Sequence, residues 1–249
     1  MTTDELVVDV SHDWVLACDV QQRFMKGLGR TTDFLDCRGC CRQVRALGGD
    51  CYDFIMLTDD RLALVVGDAS GKGLAAALMI ASVQSSLRTA ALFTGSDLAA
   101  LLKVVNHQAY SSSLADRYAT LFYGVFDAAT LTLRYVNAGH NPPFVLRRNG
   151  SPHWLETGGA PVGMFPDSNY EESVVQLSPG DLVIAYTDGV IEVANSVGEE
   201  WRVQGLLKAT AARISKCAED LVRSIFNSMD DFSGGRQTDD ATVVVAQVL

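Results

Sequence analysis

The residues of this chain best suited to chemistry are aspartates, and their positions repeat one pattern. Asp68 closes an apolar run over residues 62–66, reached through Gly67. Asp188 closes residues 182–186 in the same way and is followed by Gly189. Asp50 stands just ahead of the run that begins near Tyr52, behind Gly48-Gly49, while Asp239 and Asp240 stand just ahead of residues 241–248. In an antiparallel sheet the start of one strand lies beside the end of its neighbour, so these carboxylates can converge on one rim. Glycines beside them let the backbone bend and let a ligand approach closely. Aspartates also cap turns at strand ends for local reasons. That explains any one of them, but not a set in which each sits at the edge of an apolar strand with Gly or Asp beside it.

Carboxylates gathered without a counterion repel one another and rise in pKa. Divalent cations remove the conflict, and all-oxygen ligand sets select Mg²⁺ or Mn²⁺ over zinc. Two such ions sharing carboxylates lie about 3.5–4 Å apart, a spacing suited to in-line displacement at phosphorus. One motif competes. Gly67-Asp68-Ala69-Ser70-Gly71-Lys72-Gly73 looks like a phosphate-cradling P-loop, which needs four residues between its glycines and then Gly-Lys-Ser/Thr. Here three residues separate Gly67 from Gly71, Gly73 takes the hydroxyl position, and Asp68 would repel a triphosphate. Asp68 as a metal ligand in a tight turn is the better reading.

The elements that must hold these residues are mostly short strands. Residues 52–57 and 62–66 read as strands joined by a turn at 58–61, and residues 118–126 and 131–136 as a hairpin. Asn149-Gly150 predicts a second hairpin between 144–148 and 152–155. Residues 173–177 and 182–186 flank a Pro179-Gly180 turn, and 241–248 closes the chain as a strand. The Ala- and Leu-rich segment 73–93 predicts a largely buried helix. Ser96 is the expected N-cap of another, with Asp97 in its first turn, running through His107 and Tyr110. Two more helices are expected over 203–215 and 218–229, the second with Leu221, Val222, Ile225, Phe226 and Met229 on one face. Hairpin-linked strands with paired helices imply an α+β fold of antiparallel sheets rather than a parallel doubly wound sheet.

The chain has 249 residues, 48% hydrophobic and 20% charged, which excludes disorder over most of its length and suffices for one large core. Thirty acidic residues against twenty basic ones leave a net charge of −10. That balance argues against a nucleic-acid partner and against an anionic membrane surface. No run approaches the length of a membrane span, the longest being 74–83. The first residues carry Asp4, Glu5 and Asp9 without a basic segment, so no signal peptide is expected and the protein is placed in the cytoplasm. Cys37, Cys40 and Cys41 invite a zinc reading, but no second ligand pair has similar spacing. Buried free thiols beside a loop are expected instead. Residues 13–28 carry a heptad-like seam of Trp14, Cys18, Met25 and Leu28, with Gln21 inside it. That leaves open both a helix packed on its own domain and a homodimer through the helix.

Several segments together resemble one family. Gly48-Gly49-Asp50-Cys51-Tyr52-Asp53, the Gly67 to Gly73 turn, Asn137-Ala138-Gly139-His140-Asn141-Pro142-Pro143, Tyr186-Thr187-Asp188-Gly189-Val190 and Thr238-Asp239-Asp240-Ala241-Thr242 resemble, in order, the motifs of bacterial SpoIIE/RsbU-type serine phosphatases. These are PPM-type metal-dependent protein phosphatases. The resemblance covers essentially Arg38 to the C-terminus, and residues 158–163 look like the family's turn before its final sheet. It implies a four-layer αββα sandwich, two antiparallel sheets flanked by helix pairs, over 31–249, with 1–30 as leader and linker helix. It implies a centre of two Mn²⁺ or Mg²⁺ ions, with Asp50 and Asp68 binding or bridging them, the Ala69 carbonyl assisting, and Asp188 and Asp239 completing the set. Asp53, Asp240, Gly189, Arg45, His140 and Asn141 are secondary candidates. Asp53, three residues along a strand from Asp50, should point elsewhere.

The resemblance also implies a phosphoprotein substrate, a phosphorylated STAS-domain anti-anti-sigma factor of a partner-switching pathway. Residues 15–28 resemble the family's linker to a sensor domain, and with only a short leader ahead of them no attached sensor is expected. One departure matters. Eukaryotic relatives carry His after the metal-binding Asp-Gly, where this chain has Ala69-Ser70, so the leaving-group acid is open. His140 is a substitute on paper, but a lone loop histidine is more often a hydrogen-bonding brace. Arg45 either meets the substrate phosphate bidentately or is a solvated strand-edge charge. A catalytically weak module that only sequesters a phosphoprotein or a kinase is the competing function.

Overall fold

The computed structural model describes residues 3–25, 29–93, 97–113, 116–211 and 217–249, with side chains from His12 onward. Helix α1 (Thr3–Phe24) leads into strands β1 (Gly29–Thr31), β2 (Leu35–Arg42), β3 (Asp50–Thr58) and β4 (Arg61–Ala69). Helices α2 (Leu74–Phe93) and α3 (Leu98–Ser112) follow, then β5 (Ala119–Asp127), β6 (Thr132–Ala138), β7 (Phe144–Leu146), β8 (Pro152–Trp154) and the two-residue β9 (Gly158–Gly159). The chain ends with β10 (Ser173–Gln176), β11 (Leu182–Tyr186), α4 (Asp188–Ile191), α5 (Arg202–Ala211), α6 (Ala218–Ser233) and β12 (Ala241–Val248).

One sheet has the order β1-β2-β12-β11-β7-β8 and the other β10-β6-β5-β4-β3. Neighbours are antiparallel except β9, which lies parallel to the end of β6. Strand alternation gives each sheet two buried faces, which is why β4 and β12 read as unbroken apolar runs. Ala63 and Val65 of β4 pack under Ile80 and Leu87 of α2 and Leu101 of α3. Leu62, Leu64 and Val66 face the opposite sheet and meet Val183, Ala185, Val244 and Ala246. Val243 and Val245 of β12 pack under Leu221, Ile225 and Phe226 of α6. Fully burying each such large side chain contributes about 1.5–3 kcal/mol. The result is the expected α+β, four-layer αββα sandwich.

The structure departs from the sequence reading in places. The β3–β4 ladder runs further than the apolar runs suggested, so Asp50 and Asp68 lie within strands and pair directly across the ladder. Asp97, not Ser96, caps α3, its side chain accepting the Ala100 amide at 2.8 Å; Ser96 itself lies outside the described residues. Cys37, Cys40 and Cys41 are free thiols on β2 rather than beside a loop. The polar residues flanking them made β2 illegible, yet they are anchored. Asp36 accepts the Ala218 amide at the start of α6, and Arg42 pairs with Asp230 at 2.8 Å over the ring of Phe226.

Helix α2 is long and apolar enough to cross a membrane by length and composition, contrary to the sequence reading. It packs instead, burying Ala76, Ile80, Val83 and Leu87 against the β3–β6 sheet and α3. Helix α1 meets the domain through Gln21, whose amide donates to the Gly48 carbonyl at 2.7 Å and accepts the Gly48 amide at 3.1 Å. Trp14, Val15, Leu16 and Val20 of the same helix are exposed. Leu28, the end of the heptad-like seam, lies outside the described residues.

Candidate metal centre

The aspartates are brought together by the ends of strands from both sheets. Asp50 and Asp68 are register partners in the β3–β4 ladder. In the other sheet Tyr186 pairs with Val243, which sets Thr187 and Asp188 beside the start of β12 and therefore beside Asp239 and Asp240. Two threonines join the sheets. Thr187 and Thr242 each donate a hydroxyl to Asp50 Oδ2 at 2.7 Å, and the Thr242 amide donates to Thr187 Oγ1 at 2.9 Å. Both threonines are fully buried. Glycine is required at Gly189, because a Cβ there would run into the Asp240 carbonyl where α4 crosses the start of β12.

The electrostatics follow from this crowding. Burial, then the charge of Asp68, pushes the Asp50 carboxyl well above the ordinary carboxylate range, partly offset by the Thr242 and Thr187 hydroxyls. Burial, then the charges of Asp188, Asp239 and Asp240, raises Asp68 to about 7, and a hydrogen bond from Asp50 pulls the other way. Asp188 is raised by burial and by Asp239.

The donor set fits a hard divalent cation, being all oxygen and under-neutralised. Gly49 keeps the approach to two of the oxygens clear: a Cβ there would stand 3.0 Å from the Ala69 carbonyl oxygen, 3.3 Å from the Ala76 methyl and 3.4 Å from Asp68 Oδ1. Among the described residues, however, no three acidic, histidine or cysteine side chains are gathered closely enough to hold a cation as they lie. Asp239 is engaged by Lys72 at 2.6 Å, and Asp240 is spent on the loop before β3, accepting the Val44 and Gly49 amides at 2.8 and 3.0 Å.

The secondary candidates separate clearly. Asp53 does point away, into a pair with Arg88 and Gln84 of α2. His140 is buried, its Nδ1 2.9 Å from Thr120 Oγ1 and its backbone held by Asn137. Burial pushes its pKa down to about 4, so it is neutral at pH 7 and braces the loop. Asn141 is half-buried in the loop leading to β7. Arg45 belongs to no strand; it is exposed and lines a hollow of about 100 Å³ with Lys72, Asp239 and Asp240. A larger hollow of about 550 Å³ opens beside the Ser70-Gly71 turn, between Tyr110, Arg117, Tyr118 and Phe165. Sequence reasoning missed Thr187, Thr242 and the pairing of Lys72. The available signal was a threonine within two residues of an aspartate in both Thr187-Asp188 and Asp240-Ala241-Thr242.

This architecture is that of the PP2C-type phosphatase domain. The SiaA PP2C domain of Pseudomonas aeruginosa superposes with a TM-score of 0.81, covering 99% of this chain and 99% of that one at 18% identity. The chain belongs to the SpoIIE family, whose model, Stage II sporulation protein E, matches residues 58–249. Protein IcfG of Synechocystis sp. is 31% identical over 231 residues, covering 80% of this chain and 36% of IcfG. Phosphoserine phosphatase RsbU of Bacillus subtilis is 24% identical over 238 residues, 95% of this chain and 70% of RsbU. The chain therefore spans about a third of the length of the first relative and under three quarters of the second.

Proposed function

We propose that this chain is a PPM-type protein serine/threonine phosphatase that hydrolyses phosphoserine or phosphothreonine on a protein. Asp50, Asp68, Asp188 and Asp239, with the Ala69 carbonyl, would hold two Mn²⁺ or Mg²⁺ ions. The observation that carries the reading is the partnering of Asp50 with Asp68 across the β3–β4 ladder, under the Thr187–Thr242 bridge, with too little protein cation to neutralise the cluster. Divalent ions supply Lewis acidity toward a phosphoryl group and a lowered pKa for water. The chain's own residues do the rest. Thr187 and Thr242 fix the orientation of Asp50, and Asp240 ties down the loop that carries Gly49. The exposed Arg45 guanidinium, which makes no ion pair among the described residues, can meet the phosphate as a planar fork. No covalent phosphoenzyme is expected, since no Cys or Asp sits in a nucleophile signature.

The substrate inherited from the family likeness is a phosphorylated STAS-domain anti-anti-sigma factor in a partner-switching pathway of the cytoplasm. No nucleic acid or membrane enters this reading. A second copy would pair through the exposed apolar side of α1, ahead of a phosphatase domain that begins near residue 31. Phosphate release from an aryl phosphate should require Mn²⁺ or Mg²⁺ and stop on chelation; activity that survives chelation overturns the mechanism. Asp188→Asn should abolish turnover while a phosphoprotein still binds. If wild type binds phosphoprotein but never releases phosphate from it with either metal, the chain is a sequestering module instead.

A further inference from the structure

The acid rim carries a cation of the protein's own. Lys72 lies in the loop between β4 and α2, between Gly71 at φ +91° and Gly73 at φ +76°, both in the left-handed region that glycine tolerates. That turn carries the Lys72 side chain across to the start of β12. There Nζ donates to Asp239 Oδ2 at 2.6 Å and to the Thr238 carbonyl at 3.4 Å. The other oxygen, Asp239 Oδ1, accepts the Asp240 amide at 3.0 Å. Both oxygens of this carboxylate are thus engaged, while Asp50 and Asp68 have no basic side chain hydrogen-bonded to them among the described residues. The pair is half exposed, 48% for Lys72 and 39% for Asp239, so water can replace either partner. Arg45 lines the same hollow but makes no ion pair among the described residues.

We propose that Lys72 is a built-in competitor for the divalent cation at Asp239. The oxygen such an ion would take is the one Lys72 holds, so an ion on that side binds only as the ammonium leaves. Lys72 then lowers the affinity of the Asp239 side for the ion and makes that ion more exchangeable. This rests on the reading of Asp239 as a cation ligand. The attraction between Lys72 and Asp239, which also raises the lysine pKa, is that of a solvated pair and is readily displaced.

The experiment is Mn²⁺ titration by calorimetry on chelator-stripped protein, using wild type, Lys72→Met, Arg45→Met, Asp239→Asn and the Lys72→Met/Asp239→Asn double variant, each shown folded by circular dichroism. Lys72→Met should tighten Mn²⁺ binding about 5-fold at the site that Asp239→Asn weakens, the scale of one exposed ion pair. Arg45→Met should tighten it less than about 2-fold, because the competitor remains. In the Asp239→Asn background Lys72→Met should change nothing, the mark of a pairwise coupling. Equal tightening by the two cation removals, or tightening that persists without Asp239, means a diffuse field effect and overturns the proposal. If Asp239→Asn leaves wild-type Mn²⁺ affinity unchanged, Asp239 is no ligand, and the metal set proposed above falls along with Lys72.

Discussion

Asp50 and Asp53 stand three residues apart on one strand, both 2% exposed, and the protein treats them in opposite ways. Odd spacing sends them to opposite faces of the sheet. Asp53 faces α2, where Arg88 grips both its oxygens at 2.6 and 2.9 Å and Gln84 adds a third donor at 3.2 Å. Asp50 faces the other sheet and receives two hydroxyls. A buried carboxylate is tolerated when a protein cation meets it. Among the described residues no basic side chain pairs with Asp50 or Asp68, and the unmet charge there is the mark of a site rather than of a structural pair.

The sharpest way to break this contrast is to neutralise one member of each region. Asp68→Asn should lower kcat at least about 100-fold, since even partners behind a metal ligand are worth 10–100-fold. It should leave the metal-stripped fold as stable as wild type or more so. Asp53→Asn should leave kcat of the folded enzyme within about 3-fold but lower stability by about 2 kcal/mol. That is less than the loss for wholly buried pairs, because Arg88 is half exposed and can rehydrate. Steady-state kinetics and urea unfolding of both variants decide the matter. Comparable kcat losses would erase the distinction between the regions.

A smaller effect sharpens the role of the hydroxyls. Thr242→Val removes one of the two donors to Asp50 at nearly constant volume. It should cost about 10-fold in kcat, at the low end expected for a group that orients a ligand, with KM for an aryl phosphate nearly unchanged. Thr242→Ser, which keeps the hydroxyl, should restore most of the rate. An equal loss in both variants would assign Thr242 to packing alone.

The legible and illegible parts of the sequence divide along physical lines. The apolar runs of β4, β11 and β12 were visible because both their faces are buried, so every residue reports strand. The aspartates were visible because each stands at the edge of such a run with Gly or Asp beside it. Strand β2 was hidden, since its Asp36 and Arg42 answer to distant groups on α6 that no local pattern contains. The same holds at the rim. That Thr187 and Thr242 share one oxygen of Asp50, or that Lys72 reaches Asp239, depends on pairing between elements more than a hundred residues apart. Asp53 is the instructive middle case: strand periodicity alone set it apart from Asp50, but only the structure names Arg88 as its partner.

The smallest expected effect is also the most specific, a pH dependence carried by the rim. Asp68 has a folded pKa near 7 against 3.8 for the ordinary side chain. Between those values the folded protein holds a proton that the unfolded chain has released. Stability of the metal-stripped protein therefore falls as pH rises through this window. Asp68→Asn removes that contribution, so the variant should gain on wild type in Tm as pH goes from about 4 to above 7. The buried His140 acts oppositely, since its depressed pKa makes the fold lose stability as pH drops from 6.5 toward 4. It is present in both proteins and cancels in the difference. Thermal melts in chelator from pH 4.5 to 8, compared at each pH, give the readout. A gap between the proteins that stays constant across that range would show that Asp68 bears no unmet charge, leaving the rim no different in kind from the Asp53–Arg88 pair.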